Sequence, residues 1–119
     1  MIGNRYMNKI KSSWTKEQFK AYLMVYAAQS DQVETEEEKD HLESHFDELL
    51  LKEIRKEINK DNDFSRIQKI MSHIKENNYL ENDLNAILES IKKMYMVDGS
   101  FGAAEQMVYT SLQKLFKIN

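Results

Sequence analysis

The sequence predicts an all-α fold, a compact bundle of about six to seven helices that includes two related helix–loop–helix hairpins. Three observations carry that expectation. Proline is absent from the 119 residues, and glycine occurs only at Gly3, Gly99 and Gly102. Helix interiors exclude proline and tolerate glycine poorly, whereas a β-rich chain of this size needs several turn glycines. Apolar residues recur at intervals of three and four along most of the chain, the spacing of one helix face. Finally, Thr, Asp and Asn residues stand ahead of these runs, in places with Glu or Gln three positions later, which is the signature of a helix start.

Residues 1–14 read as an N-terminal arm or short helix, with Ile2, Tyr6, Met7 and Ile10 as scattered apolar positions, and 15–119 as a single helical domain. Thr15 and Gln18 form a capping box, and Phe19, Leu23, Tyr26 and Ala27 follow at helical spacing to about Ser30. Ser30 to Glu34 is a loop. Thr35 and Glu38 form a second capping box, with Glu36, Glu37 and Glu38 in the first turn, where the helix dipole favours anions. Leu42, Phe46 and Leu49, then Leu50, Ile54 and Ile58, extend the apolar pattern to about residue 60. A single helix over 36–60 would be long for this domain, so a break is expected near Asp47, a good N-cap for a second piece. Asp61-Asn62-Asp63 is a loop and cap. Phe64, Ile67, Ile70, Met71 and Ile74 mark the next helix, which Glu76-Asn77-Asn78 ends. Leu80, Leu84, Ile87, Leu88, Ile91, Met94 and Tyr95 mark a long helix ending near Val97. After Asp98 to Gly102 a last helix carries Met107, Val108, Leu112, Leu115 and Phe116. The core is expected to hold Leu23, Tyr26, Phe46, Ile70, Leu84, Ile91, Met94 and Leu112.

Composition narrows the functional classes. Apolar residues make up 41% and charged residues 31% of the chain, enough for one modest core. The net charge is −3 and basic residues are interleaved with acidic ones, which argues against a nucleic-acid partner. Arg5, Lys9, Lys11, Lys16 and Lys20 read as a solvated face. No apolar run is long enough to span a membrane and no secretory signal core is present, so a cytoplasmic protein is expected. Without cysteine there is no disulfide, thiolate metal site or cysteine nucleophile. Nucleophile elbows, phosphate-binding glycine loops and dinucleotide fingerprints are all missing, and no enzyme activity is expected. His41 and His45 stand one helical turn apart, a spacing that can bind zinc. The intervening Leu-Glu-Ser does not place the glutamate as a metalloprotease base, so both read as surface histidines. His73 reads as structural or exposed.

Two stretches repeat one another. Tyr26-Ala27-Ala28-Gln29-Ser30-Asp31 is followed by Thr35 and Glu38, and Tyr95-Met96-Val97-Asp98-Gly99-Ser100-Phe101-Gly102 by Glu105. In each, an aromatic-bearing helix end leads to an Asp, an N-cap residue stands four positions later and a Glu seven positions later. Gly99 directly after a helix end predicts a left-handed cap, and Gly102 a tight turn into the next helix. A helical hairpin repeated for packing explains the pattern. In a sharper reading Asp98, Ser100 and Glu105, facing Asp31 and Glu38, gather oxygens for a hard divalent cation. The match to an EF-hand loop is poor, because that loop ends in Glu at its twelfth position and here the Glu is the eighth.

The stretch Asp98-Gly99-Ser100-Phe101-Gly102-Ala103-Ala104-Glu105 resembles the signature of the TerB-like domain family, the tellurite-resistance and DjlA N-terminal type. Ala27-Ala28-Gln29-Ser30-Asp31 with Thr35-Glu36-Glu37-Glu38 looks like that family's first copy of the motif, with Gln32 where the second copy has Gly99. The resemblance implies an all-helical, bacterial, cytoplasmic module without catalytic activity, acting through a protein partner in a stress response. It also implies a divalent cation (calcium, magnesium, manganese or zinc) held by Asp31, Glu38, Asp98 and Glu105.

Overall fold

The computed structural model describes residues 14–30, 34–99 and 101–117, and of Asp98 the backbone alone. The arm expected over 1–14 lies, Trp14 apart, outside the described residues. Among the described residues six α-helices run in order: α1 (Lys16–Ser30), α2 (Glu36–His45), α3 (Glu48–Lys60), α4 (Asp63–Glu76), α5 (Glu81–Tyr95) and α6 (Ala103–Leu115). A 3₁₀ turn, Met96–Asp98, extends α5. The described residues contain no strand.

The helix starts follow from local chemistry. The Thr15 hydroxyl accepts from the Gln18 amide at 3.1 Å while the Gln18 side chain accepts from the Thr15 amide at 2.8 Å. Asp47 Oδ2 accepts from the amides of Leu49 and Leu50 at 3.0 and 3.2 Å, and Asn62 Oδ1 from Ser65 at 2.8 Å. Each bond satisfies amides that the first helical turn leaves without an internal acceptor. The break expected near Asp47 is present. Phe46 turns extended (φ −129°, ψ 149°) and buries its ring, and Asp47 restarts the chain as α3. At the end of α4, Asn78 takes a positive φ of 51°, a conformation asparagine tolerates better than most residues.

The centre of the bundle is α1, which packs against each of the other five described helices. Phe19, Ala21, Tyr22, Leu23, Met24, Val25, Ala27 and Ala28 are all buried, so this helix is apolar around its whole girth rather than on one face. Leu42, Leu51, Ile54, Ile58, Ile70, Leu84, Leu88, Ile91, Met94 and Leu112 close the core from the surrounding helices. Of the residues expected inside, all are buried except Tyr26, which sits half-buried at the rim.

Five positions read as part of apolar faces are instead exposed: Leu49, Phe64, Met71, Leu80 and Met107. Leu49 and Phe64 lie in the first turns of α3 and α4, and Leu80 is the N-cap of α5, where the chain has not yet reached the core. Met71 and Met107 lie on the outer side of the stripes that turn Ile70 and Leu112 inward.

Candidate functional site

The two repeated hairpins lie side by side. α1 packs on α5 and α6, and α2 packs on α5 and on the Met96–Asp98 turn. Tyr95, the last residue of α5, reaches across and donates its hydroxyl proton to the Ala27 carbonyl at 2.6 Å, tying the end of one first helix to the end of the other. In the second hairpin Gly99 adopts φ +91°, the left-handed cap expected of it, and its amide donates to the Met96 carbonyl at 2.9 Å. Phe101 then anchors the loop, with its ring 6.1 Å from that of Tyr95, edge-on to Tyr109 at 5.7 Å and beneath the Lys92 ammonium.

Both hairpin glutamates are withdrawn from water and reach back to their own helix starts. Glu38, fully buried, accepts from the Thr35 amide at 3.1 Å, while the Thr35 hydroxyl accepts from the Glu38 amide at 3.0 Å. Glu105, 8% exposed, accepts from the Gly102 amide at 2.9 Å. One oxygen of each carboxylate is thus committed to a helix start, the arrangement a capping role requires. Of the four carboxylates considered for a cation, Asp31 lies outside the described residues, as does the side chain of Asp98. Among the described residues no three carboxylates or imidazoles gather closely enough to hold a metal ion.

His41 and His45 stack on the outer surface of α2 with ring centroids 4.2 Å apart, and His45 Nδ1 lies 2.9 Å from the His41 carbonyl oxygen, to which it can only donate. Burial and the neighbouring His45 hold His41 below the usual imidazole range. His73 is the structural alternative realised. It is 1% exposed, packed against Trp14, Phe19 and Tyr79. Asn77 Nδ2 lies 3.2 Å from Nδ1 and Tyr79 Oη 3.0 Å from Nε2, which places the single proton on Nε2. Burial holds this imidazole too below its ordinary pKa.

Two features have no counterpart in the sequence reading. The first is a polar cluster joining α1, α3 and α4. Lys69 Nζ donates to Glu57 (2.9 Å) and Asp61 (2.8 Å), Tyr22 donates to Asp61 at 2.7 Å, and the Trp14 indole donates to Glu57 at 3.1 Å. Burial alone would lower the Lys69 pKa, but its bonds to Asp61 and Glu57 outweigh that and raise it. Burial, with Asp61 as acceptor, pushes the Tyr22 phenol well above its usual range. Trp14 and Tyr22 stand about forty residues from Glu57 and Asp61, and the set carries no motif.

The second is a solvent-open groove of about 740 Å³ between the C-terminal end of α1, the end of α3, the first turns of α4, and α6. Ile58, Ile67, Val108, Leu112 and Leu115 share its lining with Tyr26, Gln29, Ser30 and Ser111. Arg66 spans one rim, donating from Nε and Nη2 to the Ile58 carbonyl at the end of α3 (3.0 and 2.8 Å) and pairing with Asp63 at 3.3 Å. Met107, 73% exposed, also borders the groove.

No family model, curated protein or solved structure matches the chain. No described helix is long and apolar enough to cross a membrane.

Proposed function

We propose that this chain is a non-enzymatic, TerB-like helical module of the bacterial cytoplasm that works by binding protein, in a stress-related role, through the groove between α4 and α6. The observation that carries the reading is the groove itself: a concavity open to solvent, lined by apolar side chains together with Gln29, Ser30, Asp63, Arg66 and Ser111, and bordered by an exposed methionine. Flexible, polarisable methionine is favoured at adaptable binding surfaces, and recognition surfaces combine an apolar centre with a polar rim. The paired hairpins supply a rigid frame for it, since α1 and α6 both line the groove and both belong to a capped hairpin. The test replaces Met107 by a benzophenone amino acid and irradiates the chain in its native cell, with the same replacement at exposed Lys75 as control. Discrete protein adducts from position 107 alone are expected; their absence would sink the reading.

A second reading keeps the divalent-cation sensor, with Asp31, Glu38, Asp98 and Glu105 as ligands. It is supported by the packing of α2 against the turn that carries Asp98 and by the burial of both Glu38 and Glu105. The donor set fits in part, since oxygen donors suit a hard cation while one oxygen of each glutamate is already committed to a cap. Calorimetry with calcium, magnesium, manganese and zinc decides it. The sensor reading requires a heat that Asp98→Asn abolishes, and silence from the wild-type chain with all four ions would end it.

A further inference from the structure

We propose that His41 and His45 form a chelating site on α2 for a divalent transition-metal ion of borderline character, zinc, nickel or copper, held through one imidazole nitrogen from each ring with water in its other positions. The site is separate from the groove and from the four carboxylates considered above. Imidazole suits such ions, whereas calcium and magnesium take oxygen donors.

Spacing brings the two rings together. Side chains four residues apart stand one above the other on a helix, and two histidines so placed converge on one ion. In α2 the rings already touch, stacked with centroids 4.2 Å apart and 30° between their planes. A tetrahedral ion with nitrogen ligands at about 2.1 Å holds them roughly 3.4 Å apart. Rings this close need only small turns about side-chain bonds to offer one nitrogen each to a shared ion. His45 is exposed and His41 partly so, which leaves room for those turns.

Protons are placed to leave lone pairs outward. His45 Nδ1 donates to the His41 carbonyl at 2.9 Å and lies 3.0 Å from the Ser44 hydroxyl, whose own proton goes to the same carbonyl at 2.8 Å. In the neutral ring the proton is therefore on Nδ1 and the lone pair on Nε2. A backbone carbonyl that accepts from the far nitrogen is the partner that commonly fixes the tautomer and orientation of a metal-bound imidazole. Burial and the neighbouring His45 hold His41 below the usual imidazole range, so its ring binds an ion without first losing a proton. The chain's third histidine, His73, is buried with its nitrogens against Asn77 and Tyr79, and does not compete.

The surrounding charge favours a cation. Exposed Glu36, Glu37, Asp40 and Glu43 outnumber Lys39, the only Lys or Arg of α2, and their field concentrates cations at this face. His45 is also the last residue of α2, the end where the helix dipole is negative. Among the described residues no third carboxylate or imidazole joins the pair, so water completes the coordination.

The test is isothermal titration calorimetry of the full 119-residue chain, carrying no added histidines, with zinc, nickel and copper chlorides in a non-chelating buffer. His41→Ala, His45→Ala and Asp98→Asn run alongside, each checked for folding by circular dichroism. One ion per chain is expected, with copper the tightest of the three. Removal of either histidine should weaken binding at least about tenfold, the low end of what loss of a mere ligand-orienting partner costs, and Asp98→Asn should leave it unchanged. The electron paramagnetic resonance spectrum of the copper-loaded chain should show coupling to two nitrogens. Silence with all three ions would overturn the proposal. So would binding that survives the loss of either histidine, binding that Asp98→Asn abolishes, or a copper spectrum with one coupled nitrogen.

Discussion

At position 73 an imidazole sits among aromatic rings that leave water almost no access. Its neutral form is held by the contacts to Asn77 and Tyr79, and burial keeps its pKa under the ordinary value of about 6.5. The unfolded chain, with an ordinary imidazole, takes up a proton before the folded chain does. Stability from this site is therefore complete above about pH 6.5 and drains away as pH falls through the window beneath it. His41, also depressed, acts in the same direction. Urea midpoints measured between neutral pH and mildly acidic pH should fall for the wild type and fall less steeply for His73→Gln. Parallel curves would show that another group governs acid sensitivity. That His73 stands on a helix was visible from spacing. Its burial was not, because its neighbours Trp14, Phe19 and Tyr79 arrive from other parts of the chain.

At the scale of elements the local signals were the legible ones. Thr15 with Gln18, Thr35 with Glu38, Asp47, and Gly102 with Glu105 all start helices where the pattern places them, because a cap needs only partners two or three residues away. The division of 36–60 into α2 and α3 depends on one such cap. Asp47 is exposed and its carboxylate accepts from the amides of Leu49 and Leu50, so Asp47→Ala should cost about 1 kcal/mol, read from a denaturant midpoint, with the fold intact. A loss indistinguishable from zero would mean that the start of α3 does not depend on this side chain. What element-level reading placed wrongly were apolar residues at helix ends and stripe edges, such as Leu49, Phe64 and Met107. Periodicity assigns a residue to a side of its helix but not to the stretch of that side that another helix covers.

At the scale of the whole molecule, the core of the described residues lies where five helices close on α1. Leu84 and Ile91 lie on the inner side of α5, both nearly sealed from solvent. Truncating either to Ala removes apolar contacts and leaves a cavity in a packed interior, for an expected cost of about 2–5 kcal/mol in chemical unfolding. Losses under about 1 kcal/mol at both would show that the α5 face packs loosely. The paired hairpins also become intelligible only here. The motif that repeats in the sequence builds two neighbouring hairpins, linked by Tyr95 to Ala27, and its glutamates reach back to cap the starts of their own helices.

The sequence by itself determined that the chain is helical, where most helices begin and end, that Gly99 takes a left-handed turn, and which residues form most of the core. Each of these depends on interactions within about one helical turn or on a periodicity that any single helix displays. Only the tertiary structure decided that α1 is central rather than amphipathic, that Glu57, Asp61, Lys69 and Tyr22 join in one polar cluster, and that a groove lined by both polar and apolar side chains stays open beside α6. Those outcomes depend on which helices meet, at what distance, and which faces remain without a neighbour, and pairings between remote segments leave no local pattern in the chain that makes them.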